Sequence, residues 1–414
     1  MLSQKDNDVL TRTGPGTPMG DVLRRYWIPA LLSWELPEND CPPVRVQLLG
    51  ERLVAFRDSN GRIGMLKEAC PHRGASLWLG RNEEAGLRCV YHGWKFDVEG
   101  RCVNMMNEPV GFEAKVPSKA YPTVEIGQIV WTYMGPREWQ PPPPLFAWTQ
   151  VPETHRGVSK VRQESNWLQA FEGTMDTSHA PILHRRFGAT GLLAEGGAPR
   201  IEVDLQDYGY RYFSIRKGPN GSQFIKGYQF VMPWTQIRAG GDGSDGHYCV
   251  PIDDENCMVW NWVYREDEPV EERVRNGDIY GNGPAHVDQK TFLSFRNTRN
   301  DWLIDREMQK NVNFTGIIGT NTQDRAVQET MGPILDRTQE HLGPSDRQII
   351  VARQLMLEAV KALQNGKAVC GADDSYYNVR AFSATVPPRV AFRTVLDPEM
   401  NPPGPPLKVA SAQG

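Results

Sequence analysis

Two short stretches each pair a cysteine with a histidine: Cys70-Pro-His72 and, further on, Cys89-Val-Tyr-His92. In each, a thiolate and an imidazole lie close enough on one turn to serve the same metal centre. Two cysteines and two histidines suit a structural zinc tetrahedron. They also suit an iron–sulfur cluster in which imidazoles replace half of the thiolates, and the spacing alone leaves both open. Unrelated core thiols and imidazoles would not be expected to fall into two such matched pairs. A second group follows in Asn166-Trp-Leu-Gln-Ala-Phe-Glu172-Gly-Thr-Met-Asp176-Thr-Ser-His179-Ala-Pro-Ile-Leu-His184. Asp176 and His179, three apart, are expected on one helix face, with Pro181 interrupting the helix so that His184 turns to the same centre. Two imidazoles and one carboxylate with open positions opposite let Fe(II) take up O2 beside a substrate.

The sequences around the first pair, Ala69-Cys-Pro-His-Arg-Gly-Ala-Ser76 and Cys89-Val-Tyr-His-Gly-Trp-Lys-Phe96, resemble Rieske domains. The segment from Asn166 to His184 resembles the mononuclear-iron motif of Rieske non-haem iron oxygenases. The resemblance runs from about Gly14 to Ala362 and is nearest to the phthalate-dioxygenase-like group of α subunits. It implies that Cys70 and Cys89 hold one iron of a [2Fe-2S] cluster and that His72 and His92 hold the other. Neutral imidazoles in place of thiolates raise the potential of such a cluster. It further implies that His179 and His184 are ligands of the mononuclear Fe(II), and that Asp176 is an acidic bridge to a cluster histidine of a neighbouring subunit. Asp324, in Thr320-Asn-Thr-Gln-Asp324-Arg-Ala-Val-Gln-Glu329, is the implied third ligand. Asp336, Glu340 and Asp346 lie nearby and are expected to be solvated charges or helix caps. Glu172, one turn before Asp176, is expected to make a supporting hydrogen bond. His155, His247, His286 and His341 are given no metal role, and Trp167 and Phe171 are expected in the core.

By the same resemblance the chain is the terminal oxygenase of a system using O2 as co-substrate. By that resemblance, electrons come from NAD(P)H through the flavin of a separate reductase. The expected reaction is cis-dihydroxylation of an aromatic carboxylate such as a phthalate or a substituted benzoate, in aromatic hydrocarbon catabolism. Mono-oxygenation with O-demethylation is the alternative within the class, and a Rieske electron carrier without oxygenase activity the alternative outside it. Arginine forks match carboxylates, so Arg211, Arg216 and Arg238, on predicted strands, are the candidates for holding the acid. The group's members assemble from one kind of subunit, as trimers or hexamers, and a heterologous interface that closes gives such a ring.

These residues need two frameworks. A chain of 414 residues exceeds what one core usually organises. From Val44 to Val130 short apolar-polar alternations predict an all-β region, with hairpin turns at Asp58-Ser-Asn-Gly-Arg62 and Asp97-Val-Glu-Gly-Arg101. A helix from a Thr17 cap and a Pro18 start is predicted before it. The polyproline stretch Trp139-Gln-Pro-Pro-Pro-Pro-Leu145 predicts a semi-rigid connection. Beyond it, a helical spacing over 165–180 and alternation around 201–216, 224–239 and 247–264 predict a mixed domain. The fold expected is therefore α+β: an N-terminal helix and all-β Rieske domain over 1–140, then an antiparallel-sheet and helix catalytic domain of helix-grip, START-like form over 141–385. Residues 386–414 are expected as a proline-rich tail. A late helix is predicted from a capping box at Ser345-Asp-Arg-Gln348, with Ile349, Ala352, Leu355, Met356, Ala359, Val360 and Leu363 on one face and Gly366 at its end.

The formal charge of -4, from 46 basic and 50 acidic residues without a basic block, argues against nucleic acid or a membrane surface as partner. The seven cysteines are scattered and odd in number, unlike a disulfide framework. No apolar run is long enough to span a bilayer and the start lacks a signal-peptide pattern, so a bacterial cytoplasmic location is expected.

Overall fold

The computed structural model describes residues 2–188, 197–240 and 243–402, and its contacts divide into two units. One is Thr13–Pro143. The other joins Met1–Arg12 to the chain from Pro144 onward. The division thus falls within the polyproline stretch, slightly beyond the expected position after residue 140.

The first unit starts with the predicted short helix, Pro18–Leu23, where the Thr17 side chain accepts from the Gly20 amide. Its strands follow in chain order: β1 (Trp27–Leu32), β2 (Val44–Leu48), β3 (Glu51–Arg57), β4 (Ile63–Lys67), β5 (Arg81–Glu83), β6 (Gly86–Arg88), β7 (Lys95–Phe96), β8 (Cys102–Asn104), β9 (Ala120–Tyr121), β10 (Thr123–Ile126) and β11 (Ile129–Tyr133). They form three antiparallel sheets, ordered β1-β11-β10, β2-β3-β4-β9 and β5-β6-β7-β8. Both predicted hairpin turns are present and built alike. Asp58 Oδ1 accepts from the amides of Asn60 and Arg62 (both 2.9 Å), and Asp97 Oδ1 from those of Glu99 (3.0 Å) and Arg101 (2.9 Å). In each turn the arginine also pairs with the aspartate, and Gly61 and Gly100 take φ of +79°, which glycine tolerates without strain. Cys70, Cys89, Leu77, Leu87, Trp94 and Phe96 belong to one buried cluster, so the loops carrying the cysteines are anchored from beneath.

The second unit is built on an eight-stranded antiparallel sheet: β12 (Arg156–Gln163), β13 (Arg200–Gln206), β14 (Gly209–Lys217), β15 (Gln223–Val231), β16 (Thr235–Gly240), β17 (Gly243–Pro251), β18 (Cys257–Tyr264) and β19 (Phe382–Val386). The order is β12-β18-β17-β16-β15-β14-β13. β16 pairs with the Gln229–Val231 end of β15, and β19 with its Gln223–Gly227 end. The helix Trp167–Met175 packs on β17 and β18, capped by Asn166, whose side chain accepts from the Leu168 amide. The helices Thr320–Glu329 and Arg347–Gln364 pack against it in turn.

Three expectations are corrected here. The first twelve residues do not belong with the Rieske part. The helix Gln4–Thr11 lies in the second unit, where the Leu10 carbonyl accepts from Trp167 Nε1 (3.2 Å) and Asn7 bonds Leu335 and Arg337. Residues 386–402 are not a tail: the helix Arg393–Met400 buries Leu396 and Met400 against Phe213, Ile215 and Ile225. Of the proline-rich segment, residues 403–414 lie outside the described residues. The capping box at Ser345 does not form, because the Arg347–Gln364 helix begins from Asp346, whose carboxylate instead accepts from the Gly343 amide at 2.7 Å. Of the predicted face of that helix, Ile349, Ala352, Met356, Ala359 and Val360 are buried, while Leu355 and Leu363 are half-buried at its margin.

Candidate metal centres and substrate cavity

The two cysteine–histidine loops have the same backbone design. In one, the Cys70 amide donates to Ala75 O (2.8 Å) and the Gly74 amide to Cys70 O (2.9 Å); in the other, Cys89 donates to Trp94 O (2.8 Å) and Gly93 to Cys89 O (2.9 Å). Gly74 and Gly93 hold φ of +77° and +76°, and a side chain on Gly93 would run into Met106. Each loop therefore carries its cysteine inward. Cys70 and Cys89 are buried and near enough to interact, and burial pushes the Cys70 thiol up to about 11. The His72 and His92 rings meet edge to face with centroids 4.3 Å apart, and His72 stacks on Trp94 at the same distance. His72 Nδ1 is buried without a hydrogen-bond partner. An orphaned imidazole nitrogen beside two apposed thiols fits a cluster with one thiolate-bound and one imidazole-bound iron.

The second centre lies within the other unit. His179 and His184 turn their Nε2 atoms toward Asp324 Oδ1, at 3.4 and 3.3 Å, and the three candidate ligand atoms lie within 4.8 Å of one another. The outer nitrogens are fixed from behind. His179 Nδ1 meets Asp176 Oδ2 at 3.2 Å, and His184 Nδ1 meets Gln323 Oε1 at 2.7 Å; the Gln323 amide nitrogen is itself tied to Ile317 O. Acceptors on both Nδ1 atoms favour the tautomer that leaves both Nε2 atoms free for a metal. Asp324 Oδ1 is buried and without a well-formed hydrogen bond. Burial alone would raise the Asp324 pKa and lower that of His179. The imidazoles nevertheless hold Asp324 below the usual carboxylate range, while Asp176 and Asp324 lift His179 to about 9. Such a negative pocket, with converging nitrogens, suits a divalent cation.

The local route differs from the expected one. Asp176 and His179 do not share a helix face: the Trp167–Met175 helix ends at Asp176, and His179 precedes a new turn, Ala180–Leu183, in which Pro181 is an early residue and not an interruption. The two side chains meet across the break, where Asp176 also accepts from the amides of Ser178 (2.7 Å) and His179 (3.2 Å). Asp336 is exposed and caps its own loop at Thr338, Glu340 pairs with Arg353, and Asp346 serves Gly343, so none of them joins the converging ligand atoms. Glu172 is the supporting residue expected, though its partners are the buried Arg337 and Arg353.

Beside the histidines lies a cavity of about 200 Å³, whose wall includes Thr177, Lys226, Tyr228, Arg238, His247 and Tyr280. Of the three arginines expected to hold an acid, Arg238 alone is on this wall, and its guanidinium is already paired with Asp245. Arg211 pairs with Asp204 and Asp397 on the other face of the sheet, and Arg216 is buried against Ser214 and Thr177 O. Gln323 and Lys226 are residues the sequence reading passed over. For Lys226 a signal existed, since it falls in phase with Tyr228 and Phe230 on the inward face of β15, where a charge is out of place. His247 is fully buried and its pKa is pushed down to about 3 by burial and by Arg238, so it is a neutral imidazole.

Residues 26–118 match the Rieske [2Fe-2S] domain family, and residues 193–400 match the family described as LigXa C-terminal domain like. The chain is 37% identical to the phthalate 4,5-dioxygenase oxygenase subunit of Pseudomonas putida, over 95% of this chain and 94% of that one. It is 36% identical to the 3-chlorobenzoate-3,4-dioxygenase oxygenase subunit of Comamonas testosteroni, over 96% and 98%. It is 33% identical to the 5,5'-dehydrodivanillate O-demethylase oxygenase subunit of a Sphingobium species, over 89% and 82%. With both domains matched and relatives aligned along nearly its whole length, the chain belongs to the Rieske non-haem iron oxygenases, enzymes that work on O2 with a [2Fe-2S] cluster and a mononuclear iron.

Proposed function

We propose that this protein is the terminal oxygenase component that cis-dihydroxylates an aromatic carboxylate, a phthalate or a substituted benzoate. The observation that carries this reading is the convergence of His179, His184 and Asp324 beside a cavity with basic side chains on its wall. Similarity to two oxygenase subunits named for phthalate and chlorobenzoate supports the choice of acid. In this reading Cys70, Cys89, His72 and His92 hold the cluster, and His179, His184 and Asp324 hold the iron. When bound, the two groups supply single electrons and O2 activation. The chain's own residues then have defined tasks. Asp176 and Gln323 hold the two imidazoles in register, and the cavity wall orients the ring against the open side of the metal centre. Asp176, through His179, is the residue to which a cluster histidine of a neighbouring subunit would couple. The electrons come from a separate flavin and iron–sulfur reductase, and the subunits form a ring of identical copies.

The resemblance to an O-demethylase subunit favours a second reading, mono-oxygenation of a methoxylated aromatic acid. Incubation with phthalate, benzoate and methoxybenzoate, using a surrogate reductase, separates the two: a cis-diol supports the first and formaldehyde the second. The metal assignment is tested by anaerobic iron and sulfide analysis with EPR of the reduced protein. His179→Ala should keep the rhombic cluster signal and lose one iron of three per chain. Two irons per chain in the unaltered protein, unchanged in His179→Ala, would replace the oxygenase by an electron carrier.

A further inference from the structure

Among the described residues, three cations, Lys226, Arg238 and Arg325, lie on the cavity wall, and the Arg325 guanidinium is held by Asn282 Oδ1 and Thr322 Oγ1. Arg238 is neutralised by Asp245, whose second oxygen accepts from Tyr280 O–H at 2.6 Å, so that acid has no free edge to offer. Lys226 has no carboxylate partner among the described residues, and its ammonium lies 5.7 Å from the Tyr228 ring, the aromatic two residues along the same strand face. Its partners across the sheet are Ser214 on β14 and Ser383 on β19, both neutral. The buried guanidinium of Arg216, also without a carboxylate among the described residues, lies near enough to disfavour the charged lysine further. Burial first, then Arg238, lower the Lys226 pKa, against a smaller opposing pull from Asp245. A half-buried ammonium with no carboxylate paired to it is costly, and an incoming anion lowers that cost.

We propose that Lys226 is the anchor for the carboxylate of the substrate, taking the role that the sequence reading gave to arginine. The proposal rests on the aromatic-acid reading above and adds a position: the acid group is held at the β15 wall by an ammonium, a compact point charge without the bidentate fork of arginine. Tyr228 then lies alongside the bound ring, and the paired Arg238–Asp245 unit forms a neutral part of the wall.

The test is calorimetric titration of the metal-loaded protein with benzoate and with benzamide, which has the same shape and no charge. The unaltered protein should bind benzoate at least about 10-fold more tightly than benzamide, and Lys226→Met should weaken benzoate by about 10- to 100-fold while leaving benzamide unchanged. Lys226→Arg should restore part of the loss. The cluster EPR signal and the third iron report whether each variant is folded, and Lys226→Gln replaces the methionine variant if that one loses them. Unchanged benzoate affinity in Lys226→Met, or an equal loss for both compounds, overturns the role of Lys226 while the acid reading stands. Equal affinity of the unaltered protein for benzoate and benzamide overturns the acid reading and the anchor together.

Discussion

Asp176 carries two tasks on one carboxylate. One oxygen fixes the turn at Ser178, and the other meets both the amide and Nδ1 of His179. An asparagine in its place keeps an oxygen for His179 Nδ1 and loses the charge. Asp176→Asn should therefore retain cluster and iron, yet lower substrate-coupled turnover by about 10- to 100-fold, as the loss of a group behind a metal ligand does. Metal content and rate measured on the same sample check this, and normal turnover would remove Asp176 from the electron path. The candidate ligands were legible in the sequence because thiols and imidazoles seldom fall into matched pairs at such short spacing unless they hold a metal. Gln323 was not, although it orients His184 from the position next to Asp324. An amide adjacent to a carboxylate on a helix has no spacing signature, and its role exists only once His184 is brought up against it. The arginines misled for the opposite reason: a guanidinium on a strand signals charge, and two of the three spend it on Asp204, Asp245 and Asp397.

At the scale of elements, the helix bearing the iron-site turn is tied down by ions. Glu172, within Trp167–Met175, accepts from Arg353 Nε (2.6 Å) and Arg337 NH2 (3.0 Å), and Arg353 continues to Glu340 at 3.0 Å. Arg337 is wholly buried, so removing the acid leaves its guanidinium without a carboxylate, while Arg353 keeps only Glu340. Glu172→Gln should cost about 3 to 5 kcal/mol of stability at neutral pH. The pH dependence has a definite sign. Burial would raise the Glu172 pKa, but the two guanidiniums outweigh it and the folded value lies below the ordinary one. Its contribution is thus complete above the unfolded pKa of about 4.3 and disappears as pH falls through the lowered folded value. Denaturant titrations of both proteins should show a wide gap at pH 7 that narrows below about pH 4; a gap independent of pH would mean that packing, not charge, is what the substitution removes. Element types were readable from alternation and from turns such as Asp58-Ser-Asn-Gly-Arg62. The membership of the ends was not. Gln4–Thr11 joins a unit that begins far along the chain, and Arg393–Met400 forms a helix despite Pro398, because burial of Leu396 and Met400 offsets the lost backbone bond.

At the scale of the molecule, the two candidate metal centres lie in separate units, and each keeps partly accessible side chains. His72 and His92 are partly exposed at the edge of loops whose flanking Val90, Tyr91 and Met106 are more than half exposed. Asp176 keeps about a fifth of its side chain accessible, 22%, beside His179. Exposed apolar side chains around the cluster loops, and an accessible carboxylate at Asp176 beside the other centre, are what a docking face between copies would use. If the face of one subunit meets the other face of the next, a chain lacking its cluster and a chain lacking its iron can complete each other. Cys70→Ser should abolish the cluster and His179→Ala the iron, so each variant alone should be inactive. Co-expressed and purified together, the two should regain substrate-dependent oxygen uptake, because some rings then place an intact cluster from one chain against an intact iron site in its neighbour. Mixed rings that stay inactive would confine electron transfer to a single chain, and the surface exposure of Asp176 would then have another cause.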